Sequence, residues 1–66
     1  MNYKINTILI QNKMLQKGYS LTKLASIAKI STSTLSRIIN EQGTPRPQTI
    51  YKISKALELE TSEILL

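Results

Sequence analysis

Residues 20 to 40 read Ser-Leu-Thr-Lys-Leu-Ala-Ser-Ile-Ala-Lys-Ile-Ser-Thr-Ser-Thr-Leu-Ser-Arg-Ile-Ile-Asn. Their apolar positions recur at helical spacing in two short runs, broken at Lys29-Ile30. Ser20 stands before the first run and Ser31 before the second, and serine is a preferred N-cap. The stretch predicts a helix over 21–28, a tight turn with Ile30 tucked inward, and a helix over 32–41. Leu24, Ala25 and Ala28 form the inner face of the first helix. Its two alanines suit a close crossing of helices.

The second helix sorts into two faces. At about 100° per residue, Leu35, Ile38 and Ile39 share one arc of roughly 100°. Thr32, Ser33, Ser36, Arg37 and Asn40 share another arc of roughly 140° on the other side. That outer face has no bulky apolar residue and no acid. A merely solvated face is the alternative reading, but Glu, Lys or Ala would serve it better than Thr and Ser. Short hydroxyls let a helix backbone approach DNA closely. They can exchange hydrogen bonds with base edges, the Thr methyl can touch thymine, and arginine can grip guanine.

Helical spacing continues outward in both directions. Ile5, Ile8, Leu9 and Met14, with either Ile10 or Leu15, form the buried stripe of a preceding helix over 3–16, ended by Gly18. Gly43 is a stop for the 32–41 helix. Thr44-Pro45-Arg46-Pro47 is a stiff connector, and Pro47 suits the first turn of a helix over 47–57. The core stripe of that helix is Ile50, Ile53, Ala56 and Leu57. Glu58-Leu59-Glu60 links it to a last helix capped by Thr61, with Glu63 near its start and Ile64, Leu65 and Leu66 as its apolar residues. Tyr19 and Tyr51 are expected to pack. The prediction is all-α: five short helices around one core, a single domain over residues 1–66.

Composition narrows the function. The 66 residues suit one small domain, and a chain this short buries only about 60% of its unfolded surface. There is no His, Cys, Asp, Trp or Phe. Zinc ligation by thiolate or imidazole is therefore excluded, and the carboxylic side chains are limited to Glu41, Glu58, Glu60 and Glu63. No enzyme, cofactor or metal is expected. No apolar run reaches the ~20 residues of a membrane span, and the N-terminus lacks a signal-peptide layout. The expectation is a soluble cytoplasmic protein with no membrane partner and no small-molecule effector.

The net charge of +5 is unevenly spread. Residues 1–40 hold Lys4, Lys13, Lys17, Lys23, Lys29 and Arg37 with no acid, whereas residues 58–66 hold Glu58, Glu60 and Glu63 with no base. One end suits a polyanion and the other repels it. The only aromatics, Tyr3, Tyr19 and Tyr51, are far apart and make no stacking platform for RNA.

The run Leu24-Ala25-x-x-Ala28-x-Ile30-Ser31-x-x-x-Leu35-Ser36-Arg37-Ile38 resembles the helix-turn-helix of the lambda-repressor-like, Cro-type family, also called the XRE family. The likeness extends to Gly18-Tyr19-Ser20, to Pro47-x-Thr49-Ile50-x-x-Ile53-x-x-Ala56-Leu57 and to Ser62-Glu63-Ile64-Leu65, so it covers about residues 10 to 66. The resemblance implies a lambda-repressor-like fold and a transcription regulator that binds double-stranded DNA as a homodimer, with its third helix in the major groove. By position, Thr32, Ser33 and Arg37 are the implied base readers. Ser31, Ser36 and Asn40 are implied phosphate contacts. Ser20 with the amides opening the second helix, and Thr49, also fall on backbone-contacting positions, and Arg46 between its two prolines falls where it would reach the backbone or the edge of the minor groove. Lys13, Lys17, Lys23 and Lys29 add longer-range charge or are simply solvated.

Two departures from the family pattern stand out. Leu21 occupies a position where many members carry a phosphate-holding glutamine. Lys29 replaces the glycine often found in the turn, which strains the backbone if its φ is positive. The expected function is a repressor at a near-palindromic operator. A restriction-modification controller, or an antitoxin-like module with a protein partner, is the alternative. The apolar end Ile64-Leu65-Leu66 is either a dimer contact or a core cap with a frayed terminus.

Overall fold

The computed structural model describes residues 4–66. The helices are α1 (Thr7–Lys17), α2 (Leu21–Ala28), α3 (Thr32–Ile39) and α4 (Pro47–Ala56), followed by a single 3-10 turn, Thr61–Ile64. The fold is all-helical with the helix-turn-helix at α2 and α3, as expected. The fifth element is a 3-10 turn rather than an α-helix. It stops because Leu65 is extended and forms an isolated antiparallel bridge with Ile5. The Asn6 amide donates to the Ile64 carbonyl and the Leu66 amide to the Lys4 carbonyl. Leu66 is therefore held by its backbone, not frayed, although its side chain is exposed.

All four helices end alike. Gly18, Lys29, Glu41 and Glu58 have φ of 68, 60, 58 and 59°, the left-handed conformation that reverses the chain. At each, the left-handed residue and its successor donate back into the last turn: Gly18 to Leu15 and Tyr19 to Met14, Lys29 to Ser26 and Ile30 to Ala25. Glu41 donates to Ile38 and Gln42 to Arg37, then Glu58 to Lys55 and Leu59 to Ser54. This is the Schellman closure, usually built on glycine and followed by an apolar residue that packs inward. Here three of the four left-handed residues carry a Cβ. Tyr19, Ile30 and Leu59, the residues after the turn in three cases, pack against the core.

The helix starts are capped by side chains. Asn6, Ser20 and Ser31 accept from the amides of Leu9, Lys23 and Thr34 at 3.1, 3.0 and 3.0 Å. Asn6 therefore starts α1 four residues later than the spacing predicts; residue 3 lies outside the described residues. Pro47 occupies the first turn of α4, as expected. The final turn is opened by Glu60, not Thr61. Glu60 and Glu63 cap each other's backbone amides. The Thr61 hydroxyl lies instead 3.3 Å from that of Ser54, which is buried and donates to the Tyr51 carbonyl. The stop expected at Gly43 falls earlier, because Glu41 closes α3 and leaves Gly43 in the loop.

Ile10, Leu24, Ala25, Leu35, Ile38, Ile50, Ile53, Leu57 and Ile64 form one core. In α1 the open choice falls on Ile10, which is fully buried, while Leu15 is 80% exposed. Ile8, expected inside, is 70% exposed, because it stands on the opposite side of α1 from Ile10. Tyr51 is also exposed rather than packed. At the surface the Lys17 ammonium donates to Glu58, joining the ends of α1 and α4. That hydrogen bond holds the Glu58 carboxyl below its ordinary range and Lys17 above its own.

Lys29→Gly should stabilise the fold by roughly 0.5–1 kcal/mol, since a left-handed residue with a Cβ costs about 1–2 kcal/mol and glycine returns part of that in unfolded-state entropy. The expected readout is a higher urea midpoint at unchanged slope. A lower midpoint would mean that the lysine side chain contributes more than its backbone strain removes.

Candidate nucleic-acid interface

The core side of α3 is fixed by Leu35 and Ile38, which turns the opposite side outward. Thr32, Ser33, Arg37 and Asn40 are exposed there, and Ser36 is half-buried. The Asn40 amide nitrogen lies 3.4 Å from Ser36 Oγ, so these two residues lie together on the face, between Thr32 and Arg37. The structure thus keeps the expected set on one surface.

The Arg37 edge of this face borders a groove of about 410 Å³, lined by Thr34, Arg37, Ile38, Gln42, Gly43, Thr44, Pro45, Arg46 and Thr49. This brings Arg37, Arg46 and Thr49 together, although they are spread over three segments of the sequence. Arg46 precedes Pro47 at the start of α4, where no side chain caps the helix. The groove therefore combines two guanidinium groups, several hydroxyls and an uncapped helix start, a combination suited to a phosphate chain.

Three groove residues were missed in the sequence: Thr34, Gln42 and Thr44. At about 100° per residue Thr34 falls between Arg37 and Ile38, on the boundary of the two arcs, so face-sorting left it out. It is half-buried, and its hydroxyl lies 2.7 Å from that of Ser31. Gln42 follows the left-handed Glu41 and lines the groove, where the equivalent residues of the other three closures enter the core. A polar residue after a helix stop was the available signal. Glu41 itself lines a different concavity, of about 240 Å³, with Lys4, Ile5 and the 42–45 loop.

The remaining candidates stand apart from the groove. Ser20 and Ser31 are the caps of α2 and α3, so their hydroxyl oxygens are already engaged with backbone amides. Lys23 and Lys29 are exposed on α2 and its turn. Lys13 is half-buried on α1, and Lys17 is engaged by Glu58. Leu21 is half-buried and packs against the core, so this position is an apolar plug and not a polar anchor.

Comparison with known proteins agrees with this geometry. The family described as Helix-turn-helix matches residues 10–64. The chain belongs to the XRE-type helix-turn-helix family, whose members are DNA-binding regulators. It is similar to the N-terminal DNA-binding domain of SinR from Bacillus subtilis, with 35% identity, a TM-score of 0.77, and coverage of 85% of this chain and 83% of that one. It is also similar to SinR, the master regulator for biofilm formation, in a crystal structure with DNA. There the identity is 34%, the TM-score 0.77, and the coverage 88% of this chain and 94% of that one. No curated protein sequence matches.

The capping serines separate two kinds of effect. Ser31→Ala should lower stability by about 1 kcal/mol through the lost cap, whereas Ser33→Ala should leave stability unchanged. Thermal or urea unfolding of both variants checks this, and equal losses would show that Ser31 does not hold the start of α3.

Proposed function

We propose that this family member is a sequence-specific transcriptional repressor that binds a near-palindromic operator as a homodimer. The observation that carries the reading is the acid-free outer face of α3, with Arg37 bordering a groove that also holds Arg46 and Thr49. SinR, 34% identical over most of the chain, is known in complex with DNA, which supports double-stranded DNA as the partner here.

In this reading α3 lies in the major groove. Thr32, Ser33 and Arg37 meet base edges, with Arg37 bidentate to a guanine. Ser36 and Asn40 meet the phosphates of one strand. Arg46 and Thr49 hold the other strand beside the α3–α4 loop, with Thr34, Gln42 and Thr44 completing that wall of the groove. The start of α2 at Ser20 contributes backbone amides to a phosphate, and Lys13 and Lys23 add general attraction. One short helix offers few base contacts. Two copies about one helical turn of DNA apart, ~34 Å, double them and explain a palindromic site. Repression follows from occupying the DNA that polymerase needs.

Unbiased selection of bound DNA sequences would give the half-site, its spacing and its symmetry. On the selected site Arg37→Ala should lose about 1–3 kcal/mol of binding free energy and relax the preference at one base pair. Each phosphate neutralised should add about 0.9 to the slope of log affinity against log salt. Unchanged affinity and preference in Arg37→Ala would overturn the readout assignment, and a flat salt response would overturn the phosphate contacts.

A further inference from the structure

We propose that Gln42 is a positioning residue for Arg37: on DNA its carboxamide oxygen accepts from the guanidinium and holds it toward the base pair that Arg37 reads. This rests on the readout role proposed above for Arg37 and names what orients it.

The placement comes from the closure of α3. In a Schellman closure the residue after the left-handed one lies against the residue whose carbonyl it closes, and the pair is commonly apolar. The first two helices follow that rule, with Tyr19 closing on Met14 and Ile30 on Ala25. All four of these residues belong to the core or pack against it. At the end of α4 Leu59 closes on Ser54, and this pair also lies inward, Leu59 half-buried and Ser54 buried. In α3 the equivalent pair is Gln42 and Arg37, joined by a backbone hydrogen bond of 2.8 Å. Both are polar, both are exposed, and both line the same groove. The closure thus brings a carboxamide and a guanidinium to one wall, where two inward side chains stand at the other helix ends.

The backbone of Gln42 is held on both sides. Glu41 and Gly43 are left-handed, with φ of 58 and 71°, and Pro45 stiffens the loop beyond them. Gln42 therefore has a set position relative to Arg37, whose own side chain is long and has many rotamers. Among the described residues the one ion pair joins Lys17 to Glu58, so no carboxylate holds Arg37. A guanidinium carries five donors in a planar fork, and a bidentate contact to guanine uses two of them. The Gln42 oxygen can take one of the others, which leaves its NH2 for a phosphate oxygen. In the free chain water competes for both groups. On DNA the groove is covered, so the same hydrogen bond strengthens and Arg37 is held in its reading geometry.

The test is a double-mutant cycle on the DNA site selected for the wild-type chain. The readout is the affinity ratio between that site and one with the Arg37 base pair changed. Gln42→Leu, which supplies the residue type used at Leu59, should lower the ratio about tenfold. Its salt slope should stay the same, because no charge is lost, and its urea midpoint should not fall. In the Arg37→Ala background Gln42→Leu should change the ratio no further. Gln42→Glu keeps the acceptor but adds a charge that phosphate repels, so it should weaken binding to every sequence and keep the wild-type ratio. Gln42→Met, unbranched and of similar length, should reproduce the Leu result even where a branched side chain draws the loop toward the core. A ratio unchanged in both the Leu and Met variants would overturn the proposal. So would equal losses with and without Arg37, or a ratio lost in Gln42→Glu as fully as in Gln42→Leu. A preference lost at a different base pair would make Gln42 a base reader and overturn its positioning role. Arg37→Ala with an unchanged ratio would instead overturn the readout reading itself.

Discussion

The left-handed residue that closes each helix is the constraint on which this fold depends. Four helices of eight to eleven residues leave little sequence for turns, and the Schellman closure reverses the chain within two residues while satisfying the last carbonyls. Only α1 uses glycine for it. Lys29, Glu41 and Glu58 hold a conformation that an L-residue resists. At Lys29 and Glu58 the next residue, Ile30 or Leu59, is seated against the core, so apolar burial holds the strained turn in place. Local geometry and tertiary packing are coupled there.

At the end of α3 that coupling is released. Glu41 adopts the same closure, but the residue after it is Gln42, which lines the groove beside Arg37 and Arg46. A position used elsewhere for packing here lines an open groove. The exchange of core burial for a polar wall occurs where α3 meets the loop, and it places Arg37 in a groove shared with the start of α4. The stiffness of Pro45-Arg46-Pro47 then sets how far Arg46 stands from α3.

The two capping serines show how little freedom the helix-turn-helix has. Ser20 and Ser31 hold the starts of α2 and α3, while Ala25 and Leu24 pack with Leu35 and Ile38. Leu21 adds to the same core where the family pattern has a polar side chain. The outer face of α3 is free to vary because its inner face alone determines its orientation. That separation lets one scaffold present a Thr-Ser-Arg surface without altering its fold.

The helix-turn-helix was legible in the sequence because its signals are local. Serine caps, apolar spacing and the Pro47 start each act within one or two turns of helix, and the 21–28 helix emerges with both bounds as read. The outer face of α3 was legible for the same reason, since 3.6-residue periodicity alone sorts Thr32, Ser33 and Arg37 from Leu35 and Ile38. Tertiary structure decided the rest. Asn6 starts α1 late because the preceding residues pair with the chain's far end, and Ile8 turns outward because Ile10 takes the core position. The final turn stops after four residues for the same pairing. The groove of Thr34, Arg37, Gln42, Arg46 and Thr49 joins α3, a loop and α4, and only packing brings them together. Local propensity determined where α2, α3 and α4 begin and which way α3 faces; the competition for one small core determined which apolar residues are buried and which polar ones meet.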